Sequence, residues 1–233
     1  MIRPDPNLEM LERVAEALGS LRERVVFVGG CATGILITDP AAAPIRATKD
    51  VDVIVEVVSR AEYRGIEKDL ESKGFRRDQA DGAPLCRWVV AGCRVDVMPT
   101  REDLLGFSNP WYPEAIHEAM LHVLPGGLRI KVVAPAQFIA TKLQAFLGRG
   151  KGDFLGSHDL EDVVAILDGR PEIIQELKGA SSGLRLFVAG TLMVLLLDDR
   201  FLDALQGHLP PDPASQTRLP ELLVKIRSLT LME

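Results

Sequence analysis

The apolar residues of this chain change their repeat once, near Val133, and that change constrains the fold more than any single motif. Before it, short β-branched runs alternate with stretches of helical spacing; after it, apolar residues recur about every 3.6 positions and no strand signal returns. The helical stretch Leu8, Leu11, Val14, Ala15 and Leu18 follows Asp5-Pro6-Asn7, whose polar side chains are expected to cap it. Arg24 to Val28 reads as a strand that stops at Gly29-Gly30, with a buried helix through Cys31, Ala32, Ile35 and Leu36 behind it. Asp39 to Pro44 is a turn-rich connection, Val51 to Val58 the strongest strand, and Ala61 to Lys73 an amphipathic helix ended by Gly74. Leu85 to Ala91 and Cys93 to Met98 predict a hairpin joined at Gly92 and closed by Pro99. Arg101 to Gly127 is irregular, and Leu128 to Val133 predicts a last short strand. Helices are expected over Ala136 to Leu147, Asp159 to Leu167, Pro171 to Leu177, Leu184 to Leu205 and Leu219 to Leu229, with Leu209 to Gln216 as a linker. The pattern predicts an α+β fold: residues 1–133 form a mixed β-sheet flanked by helices, and residues 134–233 an all-helical C-terminal domain.

With 47% hydrophobic and 26% charged residues, the composition excludes a disordered chain. The net charge of −6 gives no whole-chain attraction to phosphate backbones or anionic membranes, so any contact with nucleic acid has to be local. The start, Met1-Ile2-Arg3-Pro4-Asp5-Pro6, carries no apolar stretch behind a basic residue, and the expected location is cytoplasmic. The longest apolar run, Phe187 to Leu197, falls short of the roughly 20 residues a bilayer span needs, so no membrane partner is expected and the run reads as a buried helix. Cys31, Cys86 and Cys93 form no CxxC pair and the four histidines are scattered, which points to ordinary buried thiols rather than a disulfide framework or zinc site.

The acidic residues of greatest interest stand at one strand. Alternation places Asp50 and Asp52 on one face while Val51, Val53, Val55 and Val57 take the other. Carboxylates this close repel unless a cation lies between them, an arrangement suited to a divalent ion held by hard oxygen ligands. Arg94-Val95-Asp96-Val97 repeats the pattern on a strand that can lie beside the first. Three such aspartates could hold two Mg²⁺ (or Mn²⁺) ions roughly 3.5 to 4 Å apart, the separation used for in-line phosphoryl chemistry. Solvent-facing carboxylates on an open sheet would give the same alternation. The Gly29-Gly30 turn adds backbone N–H groups that can approach a phosphate closely at the start of a helix.

Val28-Gly29-Gly30, followed by a helix and then Arg46-Ala47-Thr48-Lys49-Asp50-Val51-Asp52-Val53, resembles the signature of the DNA polymerase β-like nucleotidyltransferases. Lys142-Leu143-Gln144-Ala145, Arg149 and Asp159-Leu160-Glu161-Asp162-Val163 are similar to a second block of the AbiEii/MenT-like branch associated with bacterial toxin–antitoxin systems. The resemblance implies a nucleotidyltransferase-like N-terminal sheet. It makes Asp50 and Asp52 metal ligands and gives Asp96 the third-carboxylate role that activates an acceptor hydroxyl. It assigns Gly29, Gly30 and Lys142 to phosphates, Arg46 and Thr48 to the nucleotide, and Asp159 to the nucleotide as the partner of Lys142, with Asp162 on the same helix face. Nineteen residues separate Gly30 from Asp50, more than is usual, so Asp39 to Pro44 is expected to be an inserted loop. His158 stands where a basic residue is common, and Glu161 where an aromatic is.

The implied reaction moves a nucleoside monophosphate from an NTP to an acceptor hydroxyl with loss of pyrophosphate. The acceptor is open: tRNA or another RNA, a protein, or a small hydroxylated molecule, and an antitoxin partner is equally open. A non-catalytic nucleotide-binding or protein-interaction module on the same fold is the competing class, and metal-assisted phosphoester hydrolysis is a second enzyme class for the same carboxylates. Local basic surface for an RNA comes from Arg76-Arg77, Arg87, Arg94 and Arg149 to Lys151.

Overall fold

The computed structural model describes residues 5–150 and 152–232. The expectations on Met1 to Pro4 and on Lys151 lie outside the described residues. The strands are β1 (Val25–Val28), β2 (Asp50–Val55), β3 (Arg76–Arg77), β4 (Arg87–Val90), β5 (Cys93–Pro99), β6 (Met120–Val123) and β7 (Arg129–Val132). The helices are α1 (Leu8–Leu18), α2 (Thr33–Leu36), α3 (Arg60–Ser72), α4 (Glu102–Leu105), α5 (Tyr112–His117), α6 (Pro135–Arg149), α7 (His158–Gly169), α8 (Ile173–Gly179), α9 (Ser182–Leu196), α10 (Asp199–His208), α11 (Pro213–Gln216) and α12 (Leu219–Leu229). They divide into two compact units. One holds Asp5–Ala32 and Arg46–Ala134; the other holds Thr33–Ile45 and the residues from Pro135 onward.

The first unit is a seven-stranded mixed sheet in the order β3-β4-β5-β2-β1-β7-β6, with helices packed on it. β2 pairs in parallel with β5 and antiparallel with β1, while β1 meets β7 in parallel. Val51, Val53, Val55, Val95 and Val97 are essentially inaccessible, as alternation requires of the strands' apolar positions. α1 buries Leu11, Val14, Ala15 and Leu18 and packs on β2 and β5; α3 buries Tyr63, Ile66 and Leu70. The β4–β5 hairpin turns through Ala91 and Gly92, both with positive φ (48° and 76°), the backbone a two-residue type I′ connection needs.

The second unit is helical, and it claims a segment expected in the N-terminal domain. Residues 33–45 interrupt the 1–133 domain because their backbone is tied to the helices: the Thr38 and Asp39 amides both donate to the Gly169 carbonyl, at 3.1 and 3.0 Å. Arg170 donates to the Leu36 carbonyl at 2.6 Å, and Arg218 bridges Asp39 at 2.7 Å to Asp168 at 2.8 Å. A side chain on Gly169 would meet Ile37 and Ala42 at 2.9 and 3.0 Å, so the turn-rich connection is packed down rather than loose.

Several elements differ from expectation. The helix foreseen behind Gly30 is only a 3-10 turn, Gly30–Ala32, and then four-residue α2. The long Leu184 to Leu205 helix is two, because the Asp198 carboxylate accepts from the Arg200 amide and starts α10. The apolar run Phe187 to Leu197 is helical only as far as Leu196 and is not buried all round: Met193, Val194 and Leu197 are exposed. Strands β3 and β6 arise where none was expected, and a short helix, α11, stands in the Leu209 to Gln216 linker, capped by Asp212. Cys31, Cys86 and Cys93 are buried thiols outside any disulfide. Among the described residues no helix is long and apolar enough to cross a membrane.

Candidate functional site

In the sheet unit, register brings the sequence-distant carboxylates into one row. Asp52 of β2 is paired with Val28 of β1 on one side and with Asp96 of β5 on the other, and Asp96 is paired with Arg87 of β4. Asp50 lies two residues before Asp52 and shares its face. β1 ends at Val28, so the row runs into the Gly29-Gly30 turn. Gly29 has φ 72°, and a Cβ there would stand 1.9 Å from Asp52 Oδ2. No other residue fits: the left-handed backbone and the close carboxylate both demand glycine. Further along the same face, the Tyr112 hydroxyl lies 3.2 Å from Met98 Sδ, so α5 covers the sheet beyond Asp96.

Arg87 is the residue that sequence reasoning assigned to a basic surface and that belongs to this row instead. Its Nε donates to Asp96 Oδ1 at 2.8 Å and its Nη2 to Asp96 Oδ2 at 2.7 Å, a two-pronged contact; the same Nη2 reaches Asp50 Oδ2 at 3.0 Å. The hydrogen bond to Asp96, followed by the charges of Asp96 and Asp50, raises the guanidinium pKa against the opposing effect of burial. The signal was present in the sequence: a two-residue turn at Ala91-Gly92 pairs Val90 with Cys93 and, counting back, Arg87 with Asp96.

The strand entrance is held by a residue read only as a helix cap. Asn7 makes no side-chain cap bond; its buried amide donates to the Arg46 carbonyl at 3.2 Å, and its Oδ1 accepts from the Thr48 amide at 2.8 Å and hydroxyl at 3.3 Å. The Thr48 hydroxyl also reaches the Asp50 carbonyl at 3.2 Å. Arg46 and Thr48 are thus fixed through their backbone just ahead of Asp50. Among the other arginines expected to offer basic surface, Arg77 is engaged with Glu67 and the Leu85 carbonyl and stacks on Trp88, whereas Arg94 is exposed.

The donor set suits a divalent cation in its chemistry: oxygen ligands from Asp50, Asp52 and Asp96 on one face, with a cation already bridging two of them in the form of the Arg87 guanidinium. Among the described residues no three acidic, histidine or cysteine side chains converge as an ion-holding group. The row accounts for this, because Asp50 and Asp96 are drawn onto Arg87 while Asp52 lies against Gly29.

In the helical unit, Lys142 of α6 meets Asp159 and Asp162 of α7. Lys142 Nζ lies 3.3 Å from Asp159 Oδ1 and 2.6 Å from Asp162 Oδ2, with all three side chains at or below 10% exposure. Thr33 of α2 donates to Asp162 Oδ1 at 3.4 Å. Arg149 forks onto Asp159 at 2.9 and 2.8 Å, which occupies one more of the expected basic residues. Burial would push the Asp159 carboxyl up, but the hydrogen bonds and charges of Arg149 and Lys142 outweigh it and hold the pKa below its ordinary value of 3.8. The expected pairing of Lys142 with Asp159 is present, and Asp162 makes the shorter contact.

No family model matches the chain, and no curated protein matches it.

Proposed function

We propose that the sheet unit is a metal-dependent nucleotidyltransferase of the DNA polymerase β-like kind, moving a nucleoside monophosphate from an NTP to an acceptor hydroxyl. One observation carries the reading: the parallel β2–β5 register sets Asp52 beside Asp96, with Asp50 on the same face and Gly29 pressed against Asp52. Asp50, Asp52 and Asp96 would hold the cation, and Asp96 also accepts the proton of the acceptor hydroxyl as that oxygen attacks the α-phosphate. A bound Mg²⁺ or Mn²⁺ ion would neutralise phosphate charge and polarise the reacting oxygens. The Gly29-Gly30 turn brings backbone N–H groups to the phosphates without a side chain between; the short helices behind it add little dipole, so the turn acts mainly through its amides. Pyrophosphate leaves. The resemblance also assigns Arg46, Thr48, Lys142 and Asp159 to the nucleotide, and the reading of the carboxylate row does not depend on them. RNA such as tRNA, a protein or a small molecule remains the acceptor, and an antitoxin partner belongs to the AbiEii/MenT-like reading.

Asp52→Asn tests the reading. The variant is expected to keep the wild-type circular dichroism and melting temperature and to lose at least about 10²-fold in Mg²⁺-dependent incorporation of radiolabelled NTP. An unchanged rate sinks the site. Mass spectrometry of reactions holding NTPs, total tRNA and small hydroxylated molecules identifies the acceptor. The engagement of Asp50 and Asp96 by Arg87 favours a second reading, a nucleotide-binding or protein-interaction module without turnover. Pyrophosphate release separates the two, since the module binds NTP and releases none.

A further inference from the structure

The cation position between Asp50 and Asp96 is filled from within the chain. Both prongs of Arg87 hold Asp96, which is 8% exposed, and Nη2 is shared with Asp50, so one guanidinium neutralises two carboxylates that would otherwise repel. A lysine could not do this with the same geometry, because it lacks the planar fork. Arg87 borders open space. It lines a cavity of about 440 Å³ within the sheet unit, shared with Arg60, Tyr63, Arg64, Glu67 and Arg77. Arg64, on this wall, is exposed and makes no ion pair within the described residues. The long side chain therefore has open space to enter without unpacking β4.

We propose that Arg87 is the resident counter-cation of the carboxylate row, and that a divalent ion takes Asp50 and Asp96 only by displacing the guanidinium into the adjoining cavity. The inference rests on the metal reading of the row. Arg87 takes both oxygens of Asp96 and one of Asp50, so the apparent affinity for an ion on that pair scales with the fraction of molecules in which Arg87 has already left. The carboxylates stay neutralised while no ion is bound, which avoids the cost of bare like charges side by side, and Arg87 acts as a positioning residue that sets how readily the ion enters.

The test uses Mn²⁺ alone, with no nucleotide present, titrated into the full chain and followed by the electron paramagnetic resonance of free Mn²⁺. Arg87→Met, which keeps the bulk and removes the charge, is expected to bind Mn²⁺ at least about tenfold more tightly than wild type, with Arg87→Lys between them. In EDTA, Arg87→Met melts below wild type, and Mn²⁺ restores it. Adding Asp50→Asn to Arg87→Met abolishes the gain in affinity, which locates the ion. Equal or weaker binding by Arg87→Met overturns the proposal while leaving the metal reading intact. Absence of binding by every variant overturns both. Should Arg87→Met fail to fold, Arg87→Lys decides by the same criterion.

Discussion

Each unit pairs carboxylates with a cation, and the two pairings differ in how closed they are. In the helical unit Lys142 keeps 10% side-chain exposure between Asp159 at 7% and Asp162 at 6%. In the sheet unit Asp96 is nearly as buried at 11%, but Arg87 keeps 18% and Asp50 32%. The first set is out of reach of solvent ions, and each charge depends on the others for compensation. The second stands at a rim with a cavity beside it, where another cation can take the place of the first. Charge pairing of similar geometry thus has opposite uses: it fixes two helices in one unit and leaves an exchangeable site in the other.

The largest expected effect follows from removing each cation in turn. Lys142→Met takes the buried cation away from both Asp159 and Asp162, so urea unfolding is expected to show a loss of about 3 to 5 kcal/mol. Arg87→Met, where Asp50 stays open to water but the buried Asp96 loses its partner, is expected to lose less, about 2 kcal/mol, in the same measurement. Equal losses would erase the distinction between a structural cluster and an exchangeable site.

The strand entrance of the sheet unit is held by neutral bonds rather than by charge. Asn7→Ala removes the partner of the Arg46 carbonyl and the Thr48 amide while leaving every carboxylate in place. Its expected cost is about 2 kcal/mol, from polar groups left unpaired in a buried setting. Since the chain before Asp50 then loosens, NTP incorporation should fall along with stability. A stability loss with full activity would show that the clamp does not position the row.

This contrast marks what could be read without a structure. The alternation in Asp50-Val51-Asp52-Val53 and Arg94-Val95-Asp96-Val97 predicts which face each carboxylate takes, and both strands obey it. Their parallel pairing was not legible, since sheet order depends on contacts between segments more than forty residues apart. β6 was missed because Met120, Leu121 and Val123 are exposed and carry no buried alternation, and β3 because two residues hold no pattern at all. Asn7 looked like a cap because caps are local, whereas its partners are Arg46 and Thr48. The packing of residues 33–45 with the helices rests on Asp39, Gly169 and Arg218, three residues with no shared local signal.

The smallest expected effect sharpens the helical side of the comparison. Arg149 is 73% exposed although its partner Asp159 is buried, so Arg149→Ala is expected to cost less than about 1 kcal/mol at neutral pH, far below the loss from Lys142→Met. Its signature lies in acid. In wild type the folded Asp159 pKa is below its ordinary value of 3.8, so the unfolded chain takes up the proton first as pH falls. Stability from this group is therefore complete above about pH 4 and drains away as pH drops through the folded value. Taking away Arg149 removes the first of the contacts that lower the pKa and leaves burial opposed by Lys142 alone. The folded value then rises toward the unfolded one, and the contribution shrinks. Urea midpoints from pH 6 down to pH 2 should accordingly fall less steeply for Arg149→Ala than for wild type, from a slightly lower start. Parallel curves would mean that Lys142 alone sets the charge of Asp159, and that the buried cluster is closed even to its own exposed arginine.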